Sequence, residues 1–140
     1  AIDAEAMQKV FQINSIGPAV LLQQLLPLLE RKGALAVLSA RVGSITDNRL
    51  GGWYAYRASK AALNMLLRTA AIEHARRYPE ARLLSLHPGT VVSPLSQPFR
   101  GSAAARPALQ AAAELLAVVD NSKASDSGSF VAYDGASVPW

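Results

Sequence analysis

Cysteine is absent from the 140-residue sequence, and histidine occurs only twice. Without cysteine the chain forms no disulfide and no thiolate-ligated metal site, which fits a reducing compartment, and we expect a cytoplasmic protein. Two histidines without neighbouring ligands predict no metal site. No apolar run reaches the roughly 18 residues of a membrane-spanning helix, and no basic segment precedes an apolar core, so neither a membrane span nor a signal peptide is predicted.

Charged residues are few, at 17% of the chain against 51% apolar residues, and the formal net charge is +4. This composition is typical of one globular domain with a hydrophobic core. Excess positive charge can serve nucleic-acid binding. The basic pairs Arg31-Lys32 and Arg76-Arg77 instead fall in the last turns of predicted helices, where cations suit the helix dipole. We therefore expect no nucleic-acid partner.

A glycine-rich turn between a strand and a helix is also missing. Such a turn is the usual binding site for the phosphates of a dinucleotide, because the N–H groups of the helix start face them. Gly43 and the pair Gly51-Gly52 do not follow a strand in the required way. The 140 residues are therefore not expected to bind a dinucleotide on their own.

The pattern of apolar residues alternates between long helices and short buried strands. Helices are predicted at residues 4–32, 53–78 and 107–120, strands at 34–39, 83–86 and 130–133, and irregular structure at 41–52 and 90–106. The first helix has Asp3 as its N-cap, a bend at Gly17-Pro18 and a stop at Gly33. Helices that alternate with buried strands indicate one α/β domain with a parallel sheet.

Tyr56 and Lys60 stand one helical turn apart, so their side chains lie on one face of the second helix. A free phenol, with a pKa of about 10, is a weak acid and base near neutrality. A nearby ammonium group favours the phenolate and lowers that pKa. A tyrosine adjusted in this way can exchange a proton with a substrate oxygen. The same spacing also suits two surface residues on an amphipathic helix.

Several segments occur in a telling order: FQIN before Gly17, the apolar run 34–38 with Gly43 after it, GGWYAYRASK at 51–60, and LHPG at 86–89. Over nearly the whole chain this order resembles the C-terminal half of the short-chain dehydrogenase/reductase family, in the carbonyl-reductase branch that includes the sniffer and C-factor proteins. The resemblance implies the C-terminal part of a Rossmann-type doubly wound parallel sheet with flanking helices. Residues 1–140 would form a single domain that begins in mid-domain and lacks the glycine-rich N-terminal half.

The resemblance implies an oxidoreductase that uses NAD or NADP and moves a hydride to or from a carbonyl or alcohol substrate. Tyr56 would be the acid/base, Lys60 would lower its pKa, and both would touch the cofactor. Asn14 would hold the lysine through a water. Without the resemblance, Asn14 can be interpreted as an exposed helix residue or as one that bonds to the backbone.

The nicotinamide side of the cofactor site is implied at residues 88–93. Pro88 and Gly89 would form its turn, Val91 would face the nicotinamide carboxamide, and Ser93 would meet the cofactor with its hydroxyl. A Pro-Gly pair after a strand can also be a plain turn. Residues 94–106 are the place where the resemblance implies a substrate lid.

One position departs from the family pattern. Alignment on Gly43 puts Ala40 where the family has a serine that binds the substrate carbonyl, and alanine has no hydroxyl to donate. Ser39 is adjacent but is expected to point to the opposite face of the strand. Ser44, further along the loop, is an alternative donor.

The two long predicted helices resemble the pair that forms a dimer interface in the family, so a homodimer or homotetramer is expected. The strand 34–39 would also lack a neighbour on one side, and a bare apolar edge favours association. A catalytically inactive fragment or relative that serves assembly or signalling is the alternative function. The missing glycine-rich turn and Ala40 both favour that alternative.

Overall fold

A computed structural model describes residues 2–94 and 105–140. Three parallel strands form one sheet in the order β1-β2-β3, with β1 at Ala34–Leu38, β2 at Arg82–His87 and β3 at Ser129–Ala132. Each strand ends within one residue of its predicted bounds. The α/β class and the parallel sheet are therefore confirmed.

The first helical stretch contains a change of helix type rather than one regular helix. Helix α1 spans Ala4–Phe11, a π-helical turn spans Gln12–Ile16, and helix α2 spans Gly17–Leu25. Pro18 has no N–H to donate, and the preceding residue Gly17 donates its N–H to the Gln12 carbonyl, five residues back. The predicted bend is thus built as a π turn just before the proline.

The predicted end of this helix at Lys32 is wrong. A 3-10 turn, Leu26–Leu28, follows α2, and Leu29 is already extended. Pro27 lies inside that turn and cannot continue the hydrogen-bond ladder, which explains the early stop. Gly33 closes a separate turn by donating its N–H to the Glu30 carbonyl at 2.8 Å. The predicted N-cap is confirmed, because the Asp3 carboxylate accepts from the backbone N–H of Ala6.

Two further helices flank the sheet. Helix α3 spans Tyr54–Ala75 and helix α4 spans Ala108–Asn121, in fair agreement with the predicted 53–78 and 107–120. Pro107 is the N-cap of α4 rather than a residue of its first turn. Two 3-10 turns, Arg41–Gly43 and Ala124–Asp126, were not predicted. Most of the predicted lid lies outside the described residues.

The hydrophobic core lies on both faces of β2. On one face Leu83 packs with residues of α2 and α3, and on the other Leu84 and Leu86 pack with α4; the buried partners are Leu22, Leu67, Ala71 and Leu115. Among the described residues β1 pairs with β2 on one side only. This packing holds the carboxyl ends of β1 and β2 side by side, which is where the site lies.

Across residues 2–94 and 105–140, no helix combines the length and apolar character needed to cross a membrane. The same residues contain no group of three or more histidine, aspartate or glutamate side chains placed to hold a metal ion.

Candidate active site

A cavity of about 630 Å³ opens at the carboxyl ends of β1 and β2. In open parallel α/β sheets this edge is where ligands bind. Its walls come from α1, the loop after β1, the start of α3 and the loop after β2: Ile2, Asp3, Ala6, Met7, Val10, Ser39, Ala40, Arg41, Val42, Trp53, Tyr54, Ala55, Tyr56, His87, Pro88, Gly89, Thr90, Val91 and Ser93. The structure thus brings Tyr56 and the predicted nicotinamide turn into one cavity.

Asn14 is tied to helix α3 through Ser59. The Asn14 amide donates to the Ser59 hydroxyl at 3.1 Å, and that hydroxyl donates to the Tyr56 carbonyl at 2.9 Å. Ser15 donates to the Ser59 carbonyl at 2.8 Å. The π turn presents both Asn14 and Ser15 to α3. Asn14 is therefore bonded to Ser59, the residue that directly precedes Lys60.

Lys60 is anchored at the end of β1. Its ammonium donates to the Leu38 carbonyl at 3.0 Å. Gly43 makes this close packing feasible, because a Cβ at that position would lie 2.8 Å from the Lys60 carbonyl carbon. The glycine on which the sequence was aligned thus lets the Arg41–Gly43 turn rest directly on α3.

Burial shifts the pKa of both members of the Tyr-Lys pair. It raises the pKa of Tyr56 above its ordinary value and lowers the pKa of Lys60. The direction at Tyr56 is opposite to the lowering that was predicted from the lysine, because desolvation of the phenolate dominates. At neutral pH the phenol therefore keeps its proton and is able to donate it.

The turn after β2 is built around Gly89. This glycine has φ +70°, and a Cβ there would lie 2.8 Å from Cε1 of Tyr133. Both a left-handed backbone and a close ring thus require glycine at this position. Pro88, Val91 and Ser93, the other residues predicted for the nicotinamide side, line the same cavity.

Arg106 holds this turn in place and was missed by the sequence analysis. Its guanidinium donates to the Pro88 carbonyl, forms an ion pair with Glu114, and lies 3.3 Å over the Tyr133 ring. Its backbone N–H donates to the Thr90 carbonyl at 2.9 Å. No sequence pattern pointed to Arg106, because its partners come from three separate parts of the chain.

Ala40, the residue that the alignment on Gly43 puts at the family's serine position, lies in the cavity wall. Its backbone is extended. Ser44 is only 1% exposed and does not line the cavity, and its hydroxyl accepts the N–H of Asp47 at 3.0 Å. Ser39 also lines the cavity, but its Oγ is buried and has no hydrogen-bond partner in the described part of the chain.

His87, the last residue of β2, is a second residue that the sequence analysis missed. Its Nδ1 accepts the backbone N–H of Arg41 at 3.2 Å, and the ring lines the cavity. Burial, with smaller contributions from the positive charges of Arg41 and Arg106, lowers the pKa of His87 to about 4. The signal that was available is a polar residue at the carboxyl end of a buried strand, directly before a Pro-Gly turn.

Arg57 shapes the mouth of the cavity. Its Nε donates to the carbonyls of Gly51 and Gly52, each at 3.1 Å, and its Nη1 donates to the Val42 carbonyl at 3.3 Å. These bonds fold the loop so that Trp53 enters α3 from a left-handed conformation, with φ 48°. A non-glycine residue in that conformation is strained, and such strain is common near functional sites.

Comparisons with known proteins find related sequences over almost the whole chain. A family model described as enoyl-(acyl carrier protein) reductase matches residues 1–138. A 1-hydroxy-2-glutathionyl-2-methyl-3-butene dehydrogenase of Rhodococcus sp. (strain AD45) is 34% identical over 140 residues, which cover 100% of this chain and 61% of that protein. The C-signal protein of Myxococcus xanthus is 38% identical over 143 residues, which cover 99% of this chain and 81% of that protein.

Solved structures show the same fold. The carbonyl reductase Sniffer of D. melanogaster matches with a TM-score of 0.88 at 27% identity, over 100% of this chain and 59% of that one. An NADPH-bound carbonyl reductase from chicken fatty liver matches with a TM-score of 0.85 at 29% identity, over 99% and 59%. These matches confirm the Rossmann-type sheet. The chain spans less than two thirds of the length of both structures and of the Rhodococcus relative.

Proposed function

Because the chain belongs to the short-chain dehydrogenase/reductase family, as its sequence resemblance predicted, we propose that it carries the proton-transfer and nicotinamide side of an NADP(H)-dependent carbonyl reductase. The observation that carries the proposal is the single cavity shared by Tyr56 and the turn at Pro88 and Gly89. The likeness to carbonyl reductases with bound NADPH or NADP supports the choice of cofactor over NAD.

The residues present fit a nicotinamide. Without a Cβ, Gly89 lets the Tyr133 ring and Arg106 pack against the turn that would face the nicotinamide ring, and Arg106 also holds the Pro88 carbonyl. Val91 and Ser93 would hold the carboxamide side of the ring. When bound, the nicotinamide supplies or accepts the hydride at the substrate carbon.

The chain's own residues would handle the proton. Tyr56, kept neutral by burial, would donate its phenolic proton to the carbonyl oxygen as negative charge develops there. Lys60, anchored on Leu38, would supply positive charge near the phenolate that remains. Asn14 would orient the start of α3 through Ser59 and connect the lysine to solvent. The substrate would be a small carbonyl compound or the corresponding alcohol.

We place the phosphate-binding turn in a segment that would precede Ala1 in the whole protein. The relatives that this chain only partly spans support this placement. A homodimer or homotetramer through the helices at 4–28 and 54–75 belongs to the same proposal, since exposed apolar side chains occur on both helical stretches, among them Ile13, Val20, Leu21, Met65 and Ile72. The cytoplasmic location remains a prediction.

Replacement of Tyr56 tests the proposal. In the protein expressed from its complete reading frame, Tyr56→Phe keeps the ring but removes the proton, and should lower kcat/KM for an aldehyde about 10²–10⁴-fold. NADPH affinity, measured by fluorescence titration, should stay nearly unchanged. Tyr54→Phe is the matched control, because Tyr54 lines the mouth of the same cavity and is 60% exposed. If both variants keep most of their activity, the proton-transfer assignment fails.

A second candidate function is assembly or signalling without catalysis. The likeness to the C-signal protein and the absence of a hydroxyl at Ala40 favour it. Calorimetric titration separates the two candidates. A protein from the complete reading frame that fails to bind NADPH more tightly than about 100 μM, near 5.5 kcal/mol, would support the second.

A further inference from the structure

In the alignment on Gly43, Ala40 stands in the cavity wall where the family has the hydroxyl that would hold a substrate oxygen beside Tyr56. The Ser44 hydroxyl is buried and accepts from a backbone N–H. Ser39 has a hydroxyl, but its Oγ is buried from solvent. A reduction in which charge develops on oxygen gains from a second donor aimed at that oxygen. The question is which side chain of this cavity can be that donor.

His87 lies next to the gap. Its Nδ1 is 3.2 Å from the backbone nitrogen of Arg41, and that nitrogen is bonded to the carbonyl carbon of Ala40. The imidazole therefore lies beside the alanine, in the wall that faces the cavity. Its backbone carbonyl accepts from Tyr133 at 2.9 Å, so β3 fixes the end of β2 from the other side.

The tautomer of His87 follows from its hydrogen bond. Because Nδ1 accepts the Arg41 N–H, a neutral ring carries its proton on Nε2. No bond to Nε2 is formed by any residue in 2–94 or 105–140, and this atom is not among the buried unpaired atoms. The lowered pKa of the ring agrees with a neutral imidazole at physiological pH. Neutral imidazole can polarise a substrate carbonyl.

We propose that Nε2–H of His87 donates a hydrogen bond to the substrate oxygen in place of the serine hydroxyl that Ala40 lacks. The inference rests on the proposed function. His87 keeps its proton throughout, while Tyr56 transfers its own proton to the oxygen and hydride arrives at the carbon. The sequence change at Ala40 is thereby offset by a residue of the next strand.

Substitutions of His87 test the kinetic part, with reduction of 4-nitrobenzaldehyde by NADPH in the protein from the complete reading frame. His87→Met fills similar space without a donor and should lower kcat/KM about 10²–10³-fold, while His87→Gln, which can still donate, should lose markedly less. Adding Ala40→Ser to the His87→Met variant should restore about tenfold or more. Thermal melting and NADPH titration of each variant show whether folding and cofactor binding are intact.

Two results would overturn the proposal while leaving the proposed function standing. One is a folded His87→Met protein within about threefold of the parent while Tyr56→Phe is inactive. The other is a gain of about tenfold from Ala40→Ser in the parent itself, which would show that the parent has no second donor. A parent that reduces no aldehyde overturns the proposed function, and the inference with it.

A readout without turnover tests the tautomer directly. Two-bond ¹H–¹⁵N spectra of histidine-labelled protein report which ring nitrogen carries the proton. We expect a proton on Nε2 and none on Nδ1 at neutral pH. A proton on Nδ1 would contradict the hydrogen bond from Arg41, and the proposal would be wrong whatever the activity.

Discussion

Leu38 and Leu86 are the same residue type, paired in register on neighbouring parallel strands, yet their environments differ sharply. Leu86 in β2 is 3% exposed, whereas Leu38 in β1 is 59% exposed. Leu86 packs in the cluster beneath α4, and nothing among the described residues covers Leu38 in the same way. The difference shows that an apolar run predicts that a strand tends to be buried. It does not predict which element packs on that strand.

The two faces of β1 explain the difference. Leu35 and Val37 pack against the core formed with α2 and α3, while Ala36 and Leu38 alternate to the other face and are exposed. Both faces of β2 are covered, and the strand ends at the cavity. The fully covered strand β2 therefore leads into the cavity with its last residue, His87. The neighbouring strand β1 leads into Ser39 and Ala40 in the cavity wall.

Truncation of the paired leucines should give the largest difference in stability. Leu86→Ala removes a buried side chain and leaves a cavity, so we expect a loss of about 2–5 kcal/mol in the free energy of unfolding. Leu38→Ala at the exposed partner should cost less than about 1 kcal/mol. Urea unfolding followed by circular dichroism measures both. Equal losses would mean that Leu38 is covered in solution, by another copy of the chain or by a segment outside it.

Association of the 140-residue chain tests what covers the bare face of β1. Leu38→Lys puts a charge on an exposed apolar edge strand, and charged residues at such edges oppose pairing. We expect the dissociation constant for self-association of the variant, measured by sedimentation, to rise about tenfold, which corresponds to about 1.4 kcal/mol. Ile13→Lys, on the exposed face of the first helical stretch, probes the proposed helical interface. If Ile13→Lys yields monomers and Leu38→Lys changes nothing, the edge plays no part.

The fold was largely predictable because its elements follow from local patterns. Within residues 2–94 and 105–140, the sequence predicted each of the three strands and each helix longer than one turn, since apolar period and turn residues mark them. The early end at Leu28 was missed because Pro27 lies within an apolar run that still reads as helix. The two short 3-10 turns carry no periodic signal, and the π turn shows only in the backbone response to Pro18.

The candidate site was predictable where a short segment of sequence carries it, as at residues 56–60 and 88–93. Tyr56 and Lys60 are one helical turn apart, so their spacing predicted that the two side chains lie on the same face of the helix. The net rise in the pKa of Tyr56 was not predicted, because burial of the phenol depends on packing that spacing does not contain. Arg106 and His87 act through partners on other elements, and those contacts exist only once the chain is folded.

The smallest expected effect concerns pH and the end of β2. The pKa of His87 is about 4 in the folded protein, against about 6.5 in an unfolded chain. Between these values the unfolded state binds the proton and the folded state does not. Acidification therefore favours unfolding: stability is full above about pH 6.5 and declines as pH falls toward 4.

The charges around His87 set the size of this decline. Arg41 and Arg106 oppose the charged ring, and Asp134 and Asp47 favour it, so the net shift comes mainly from burial. After allowance for partial exposure to solvent, we expect a loss of about 1 kcal/mol between pH 6.5 and 4. Urea unfolding at several pH values, in parent and His87→Asn proteins, isolates the contribution, since the variant lacks the titrating ring. The parent should lose more stability than the variant on acidification. If the two curves of stability against pH are parallel, the ring of His87 is as accessible to solvent as the exposed end of β1. The contrast between the two strands would then not extend to their carboxyl ends.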